Sequence, residues 1–181
     1  SLFGKLDRDR RFRVLDIGSA FPETLDFFSA FRCRLHFAGL YEERVVLEGP
    51  EDREHEELVS LFRELLAVEE GCNFDLVLLW DLPNFLDDQT LSAFSEALAP
   101  CLHERTLGHA FAVRTQDTRL QPRWYGIHEK HLFTVREPWT PQRRFHPHSQ
   151  AILINLLTCF SIDRGMLLPD GRLEVAMKAA G

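Results

Sequence analysis

The chain has no long apolar run, no Cys-x-x-Cys pair and no excess of basic charge. None of its apolar stretches approaches the length of a transmembrane helix, so no membrane span is expected. The opening SLFGKLDRDRRFR carries charge with no long apolar segment behind it, which is not the pattern of a secretory signal. The formal net charge is −7, which speaks against nonspecific binding to nucleic acid or to an anionic membrane. Residues 1–11 read as a solvated basic lead-in. The four cysteines, Cys33, Cys72, Cys101 and Cys159, are scattered beside apolar stretches, as free buried thiols would be. That usage predicts a reducing compartment, hence the cytoplasm.

Several catalytic signatures are missing too. No GxxxxGK[ST] phosphate loop occurs, and GxGxxG would need glycine where Ala20 and Glu23 stand. HExxH and GxSxG are absent, so hydrolase chemistry has no support. The close histidine pairs, His146/His148 and His128/His131, come with no recognisable third ligand, and no metal site is expected.

What is present reads as one soluble domain, residues 1–181. The chain is 45% hydrophobic with 15 phenylalanines, enough for a substantial aromatic core. Residues 12–17 predict a strand. Pro22 suits the first turn of a helix whose apolar face is Leu25, Phe28 and Phe31. Residues 33–40 (CRLHFAGL) predict a second strand. The stripe Leu58, Leu61, Phe62, Leu65 and Leu66 predicts a helix over 51–70, with Gly71 as C-cap. FDLVLLW, residues 74–80, has the nearly continuous apolar character of a central parallel strand. Asp87 or Asp88 caps the next helix, and 108–113 form a strand. Residues 114–147 read as an irregular loop region with a strand or hairpin inside 125–135. Ser149 then caps a helix, and 162–168 with 172–178 form a hairpin around Pro169-Asp170-Gly171. Alternation of strand and helix implies a parallel sheet covered on both faces.

The corner at Asp16-Ile17-Gly18 lies where open α/β sheets bind ligands, beyond the carboxyl end of a strand. A single glycine at such a corner is also common without any ligand. Aromatics of the long loop, Trp124, Tyr125, Trp139 and Phe145, could line a pocket or simply cover the sheet edge.

VLDIG, the pattern Gly-x-x-x-Pro-Glu at Gly18–Glu23, FDLVLLWDLPNFLDD and the closing hairpin together resemble a class I S-adenosylmethionine-dependent methyltransferase, and within it a small bacterial branch with a divergent cofactor loop. The resemblance implies a three-layer α/β sandwich, with a mostly parallel Rossmann-like sheet and a C-terminal antiparallel hairpin. Between Glu43 and Phe74 the family has a further strand and helix. Only one helix is evident here, with 44–47 as a short strand, so an edge strand is unaccounted for. A missing edge would leave 33–40 open to a protein partner.

Carried across residue by residue, the resemblance implies S-adenosylmethionine as cofactor. It sets Asp16 and Gly18 beside the methionine part, with Ser19 and Ala20 supplying loop backbone. It places Tyr41 against the adenine and counts Trp80, which closes the fourth strand of the family scheme, among the cofactor-binding residues. The ribose carboxylate expected at the end of the second strand is replaced by Gly39, with Glu42, or its neighbour Glu43, as substitute. Asp81 is the candidate catalytic residue. Asp81-Leu82-Pro83-Asn84-Phe85 is faintly similar to the Asp/Asn-Pro-Pro-aromatic motif of amino-group methyltransferases. Two readings stay open: a methyltransferase of unspecified acceptor, or a non-catalytic interaction module of the same fold. A nicotinamide oxidoreductase is the weaker third, for want of the dinucleotide fingerprint.

Overall fold

The computed structural model describes residues 7, 9–113, 123–129, 132–136 and 145–180. Its elements run β1 (Phe12–Asp16), α1 (Pro22–Ser29), β2 (Cys33–Phe37), α2 (Arg44–Leu47), α3 (His55–Leu66), β3 (Phe74–Trp80), α4 (Asp88–Leu98), β4 (Leu102–Val113), β5 (Trp124–Glu129), β6 (Leu132–Arg136), α5 (Gln150–Leu156), β7 (Phe160–Leu167) and β8 (Arg172–Ala179). Six strands form one sheet in the order β2-β1-β3-β4-β8-β7, and β5 pairs with β6 separately. β2, β1, β3 and β4 are mutually parallel, and β8 is antiparallel to both β4 and β7.

The centre of the sheet follows from its sequence. β3 is buried along nearly its whole length, and Leu76, Val77, Leu78 and Leu79 are at most 1% exposed. α4 begins at Asp87, whose carboxylate accepts from Thr90 N–H at 2.8 Å and satisfies a helix-end donor. α5 begins likewise at Ser149. The final hairpin turns at Gly171, which takes φ 84°, a value cheap only for glycine.

The predicted bounds shift at several elements. Residues 44–47 form the short helix α2, not a strand. Val45 and Val46 are β-branched, but both are buried against the core, and one helical turn achieves that burial. α3 starts at His55 rather than 51, because Glu54 makes a reciprocal capping box with Glu57. It ends at Ala67, in the left-handed region at φ 49°, so Gly71 is not its C-cap. The second strand stops at Phe37, and Leu40–Glu42 turn into a single 3-10 turn.

β2 forms one border of the sheet, with no strand on its outer side among the described residues. No helix of the described chain is long and apolar enough to cross a membrane. Of the loop region 114–147, the described part holds the hairpin β5–β6, whereas Trp139 and His131 lie outside the described residues.

Candidate functional site

Strand order reverses between β1 and β3. The chain leaves β1 toward β2 on one side and returns through β3 on the other. The carboxyl ends of these two strands therefore flank the switch point where open sheets hold ligands. Asp16 closes β1 and Trp80 closes β3.

The Asp16 side chain is buried. Its Oδ1 accepts from Gly18 N–H at 2.8 Å and from the Trp80 indole N–H at 2.7 Å. Its Oδ2 is buried with no hydrogen-bond partner among the described residues. Burial raises the carboxyl from an ordinary 3.8 to about 7, against the opposing pull of the two donors. Trp80 reaches Asp16 because the β3–β4 register slips between Leu78 and Trp80, and because Trp80 takes φ 49°. A bulky residue in that region is strained, by roughly 1–3 kcal/mol, and the surrounding contacts hold it there. The indole then lies under Gly18, where an added Cβ would meet Asp16 Oδ1 at 3.1 Å and Trp80 Cδ1 at 3.6 Å.

Asp81 follows in the chain and is also buried. Tyr41 donates its hydroxyl to Oδ1, and Tyr125 donates to Oδ2 at 3.3 Å. Arg172 Nη1 in turn donates to the Tyr125 hydroxyl at 2.6 Å, while its Nε is bound by Asp170 at 2.7 Å. Both tyrosines of the chain thus converge on one carboxylate. Burial pushes Asp81 up to about 6, the Tyr41 hydroxyl being the main opposing influence. Burial and the neighbouring Asp81 raise both phenols above their ordinary values.

The β5–β6 hairpin forms the lid of this region. Tyr125 stacks on Trp80 with ring centres 5.1 Å apart and planes within 5°, and on Phe111 at 5.2 Å. Phe133 meets Trp80 edge-on at 5.7 Å. The hairpin docks on α1: Ile127 N–H donates to Thr24 Oγ1 at 3.1 Å, and Arg136 pairs with Glu23 at 2.8 Å. Gly126 is required at this contact, since a Cβ there would fall 2.5 Å from Glu23 Cγ.

The end of β2 is arranged differently from the resemblance's expectation. Ala38, Gly39 and Leu40 N–H groups donate to the carbonyls of Asp16, Gly18 and Ile17 at 2.9, 3.2 and 2.9 Å. The loops after β1 and β2 are therefore joined by backbone bonds. Gly39 sits at φ 63° with open space around it, and Glu42 is exposed. Glu43 precedes α2 as its N-cap residue. Ser19 is half-buried and Ala20 exposed on the loop leading into α1.

So Asp16, Gly18, Tyr41, Trp80 and Asp81 are brought together, while Glu42 is not. Sequence reasoning left Arg172 and Phe133 out of the site. It offered Trp124 and Tyr125 only as loop aromatics that could line a pocket or cover the sheet edge, and the pairing that folds them back over β3 has no local signature. Asn84 is also clarified. Its Nδ2 donates to the carbonyls of Asp81 and Phe111 at 3.0 and 2.8 Å, and its Oδ1 accepts from Val113 N–H at 2.8 Å. It ties the turn after β3 to the end of β4. Asn84→Ala leaves those buried backbone groups unpaired and is expected to cost about 2–4 kcal/mol, read as a lowered urea midpoint. Asn84→Asp should cost at least as much, since a carboxylate cannot donate.

The fold is that of the class I S-adenosylmethionine-dependent methyltransferases. Of this chain, 96% aligns with 73% of the Burkholderia thailandensis 1,6-didemethyltoxoflavin-N1-methyltransferase, solved with its substrate and S-adenosylhomocysteine, at TM-score 0.55 and 14% identity. It aligns over 93% with 84% of an S-adenosylmethionine-dependent methyltransferase from Clostridium acetobutylicum, at TM-score 0.56 and 10% identity. It spans only about half the length, 52%, of the pyocyanin biosynthetic protein PhzM, which it matches over 98% of its own length at TM-score 0.51 and 14% identity. No protein-family model matches the chain, and no curated protein matches it in sequence. The likeness is one of fold.

Proposed function

We propose that this chain is a methyltransferase-type protein that takes S-adenosylmethionine, or its demethylated product, at the corner between β1 and β3. The observation that carries the reading is the Asp16 carboxyl. It stands at the carboxyl end of the first strand beside Gly18, buried, with one oxygen unpartnered. An oxygen in that state suits a cationic donor, and the α-ammonium of a methionyl group is one. When bound, the cofactor supplies an electrophilic methyl group on a sulfonium. The chain's part is to bind and orient, because alignment of donor and acceptor is most of what such a transfer needs. Asp16 would hold the ammonium, with Gly18, Ser19 and Ala20 giving close backbone. Tyr125 and Phe133 would have to lift with their hairpin to admit the ligand. Both oxygens of Asp81 are taken by tyrosines, so its role is to fasten Tyr41 and the hairpin, and no general base is assigned. The methyl acceptor stays open.

A specific observation favours the second reading, a methyltransferase-fold interaction module without cofactor. The backbone bonds joining the loops after β1 and β2, with Gly39 where the resemblance expects an acid, leave the end of β2 without the carboxylate that would take the ribose hydroxyls. Such a module would use the open border at β2 for a protein partner.

Titration calorimetry with S-adenosylmethionine and S-adenosylhomocysteine separates the two. Binding of an ammonium should draw Asp16 from about 7 toward an ordinary carboxylate, so at pH 6.5 it should release a proton. The observed heat should therefore differ between two buffers of unlike ionisation enthalpy. Gly18→Ala, which crowds Asp16 Oδ1, should weaken binding tenfold or more. No heat at millimolar ligand defeats the proposal and leaves the module reading.

A further inference from the structure

At the opposite end of the sheet, the amino ends of β1 and β2 border an open cavity of about 730 Å3. Four arginines line it: Arg11, Arg13, Arg32 and Arg34. Their grouping is a product of register. The parallel pairing sets Arg13 directly opposite Arg34. Arg11 and Arg32 stand two residues earlier, and the Phe12 N–H to Arg32 carbonyl bond of 3.2 Å keeps the two chains together there. The result is a grid of four arginines bordering one pocket, Arg13 and Arg34 paired across the two strands and Arg11 and Arg32 just before them.

This grid is costly as it stands. Like charges directly opposite on neighbouring strands repel. None of the four is in an ion pair among the described residues. The Arg13 guanidinium donates to the Cys72 sulfur, at 3.2 Å. Among the described residues the one acid lining the cavity, Asp75, is already engaged. It accepts from Arg10 at 3.1 Å and from the Arg13 backbone N–H at 2.9 Å, and lies 3.5 Å from His103. All this sits on a chain whose net charge is −7. An uncompensated basic cluster around a cavity, on an acidic protein, is not explained by the fold.

We propose that the cavity binds a small oligophosphate, its phosphates spanning the strand-to-strand arginine pairs. Guanidinium groups match phosphate oxygens in bidentate fashion, and strands lie about 4.8 Å apart, so adjacent phosphates of one chain can meet arginines from both. The cavity volume falls in the range of small-molecule sites, with room for a nucleoside attached to the phosphates. The apolar wall of Phe12 and Phe31 suits such a body. This site is separate from the β1–β3 corner and stands whether or not that corner binds S-adenosylmethionine.

The probes are sodium tripolyphosphate and ATP, without divalent metal, titrated calorimetrically at 50 mM salt. Both binding at one site identifies the phosphates as the recognised part. ATP binding at least tenfold tighter identifies a nucleotide source. Affinity should fall as salt is raised. The pair Arg13→Gln/Arg34→Gln should weaken binding at least tenfold, and the exposed Arg32→Gln alone severalfold, whereas Arg44→Gln, on α2, should leave it unchanged. Arg34→Gln should also raise the urea midpoint of the free protein, since it removes repulsion. A merely structural arginine would lower it. No binding of either probe at 5 mM overturns the proposal, as does binding unaltered in the arginine variants. Binding of a 10-nucleotide RNA with no response to either small probe also overturns it, in favour of a nucleic-acid surface.

Discussion

Asp16→Asn should make the protein more stable at pH 8 and less stable at pH 5. In the folded chain Asp16 titrates near 7 and Asp81 near 6, against an ordinary 3.8. Both carboxyls are therefore raised, and the folded state holds protons that the unfolded chain has released. Their contribution to stability is whole below about pH 4 and drains away as pH climbs through 6 and 7. For Asp16, the burden of ionising in the folded state is about 4 kcal/mol above pH 7. Asparagine keeps the Oδ1 acceptor for Gly18 N–H and the Trp80 indole and carries no charge. Its amide group takes the place of the unpartnered Oδ2, and an unsatisfied buried amide costs about 1–3 kcal/mol. The net expectation is a gain of about 1–3 kcal/mol at pH 8 that shrinks by about 2.7 kcal/mol toward pH 5, where it becomes a small loss of at most about 1.5 kcal/mol. Urea midpoints at pH 5, 6.5 and 8 read it directly. Wild-type stability from these groups should fall by roughly 3–4 kcal/mol across that range, and the variant should show less than half that slope. An equal slope in the two proteins would mean that Asp16 is ionised at neutral pH in the fold, contrary to its burial.

How far the sequence discloses this arrangement depends on the range of the interactions involved. β3 is legible because its burial on both faces leaves six apolar residues in a run of seven, broken only by Asp75, and the closing hairpin because Pro169-Asp170-Gly171 is local turn chemistry. Helix ends were less legible. The acidic run before α3 looks uniformly helical, yet only the reciprocal bonds of Glu54 and Glu57 decide where it begins. Asp16 and Gly18 could be singled out from one pentapeptide. The network around Asp81 could not. Tyr125 reaches Asp81 from 44 residues away and Arg172 reaches Tyr125 in turn, through strand pairings with no local sign. The arginine grid is hidden in the same way. Arg10, Arg11 and Arg13 look like a solvated lead-in until the β1–β2 register sets Arg34 opposite Arg13.

The same dependence on long-range contacts makes Trp80 the most consequential single side chain, and Trp80→Ala should lower stability by about 3–5 kcal/mol. The indole is 1% exposed, stacked on Tyr125 and flanked by Phe111, Phe133 and His109. Removing it leaves a large cavity, loosens the β5–β6 hairpin and deprives Asp16 of one of its two donors. For a chain of this length that corresponds to a fall in Tm on the order of 10 °C. Two further substitutions separate the causes. Trp80→Phe keeps most of the volume and loses the N–H, so it isolates the bond to Asp16, worth about 1.5–3 kcal/mol to a charged acceptor. It should also push the Asp16 carboxyl still higher, extending the loss of stability to more alkaline pH. Trp80→Gly tests the backbone. Inside an ordinary strand glycine is worse than alanine by about 0.5–1 kcal/mol, but at φ 49° the order should reverse, because only glycine takes that conformation without strain. If alanine proves the more stable of the two, the left-handed backbone at the end of β3 is not what holds the indole beneath Gly18, and the packing of the hairpin alone must do so.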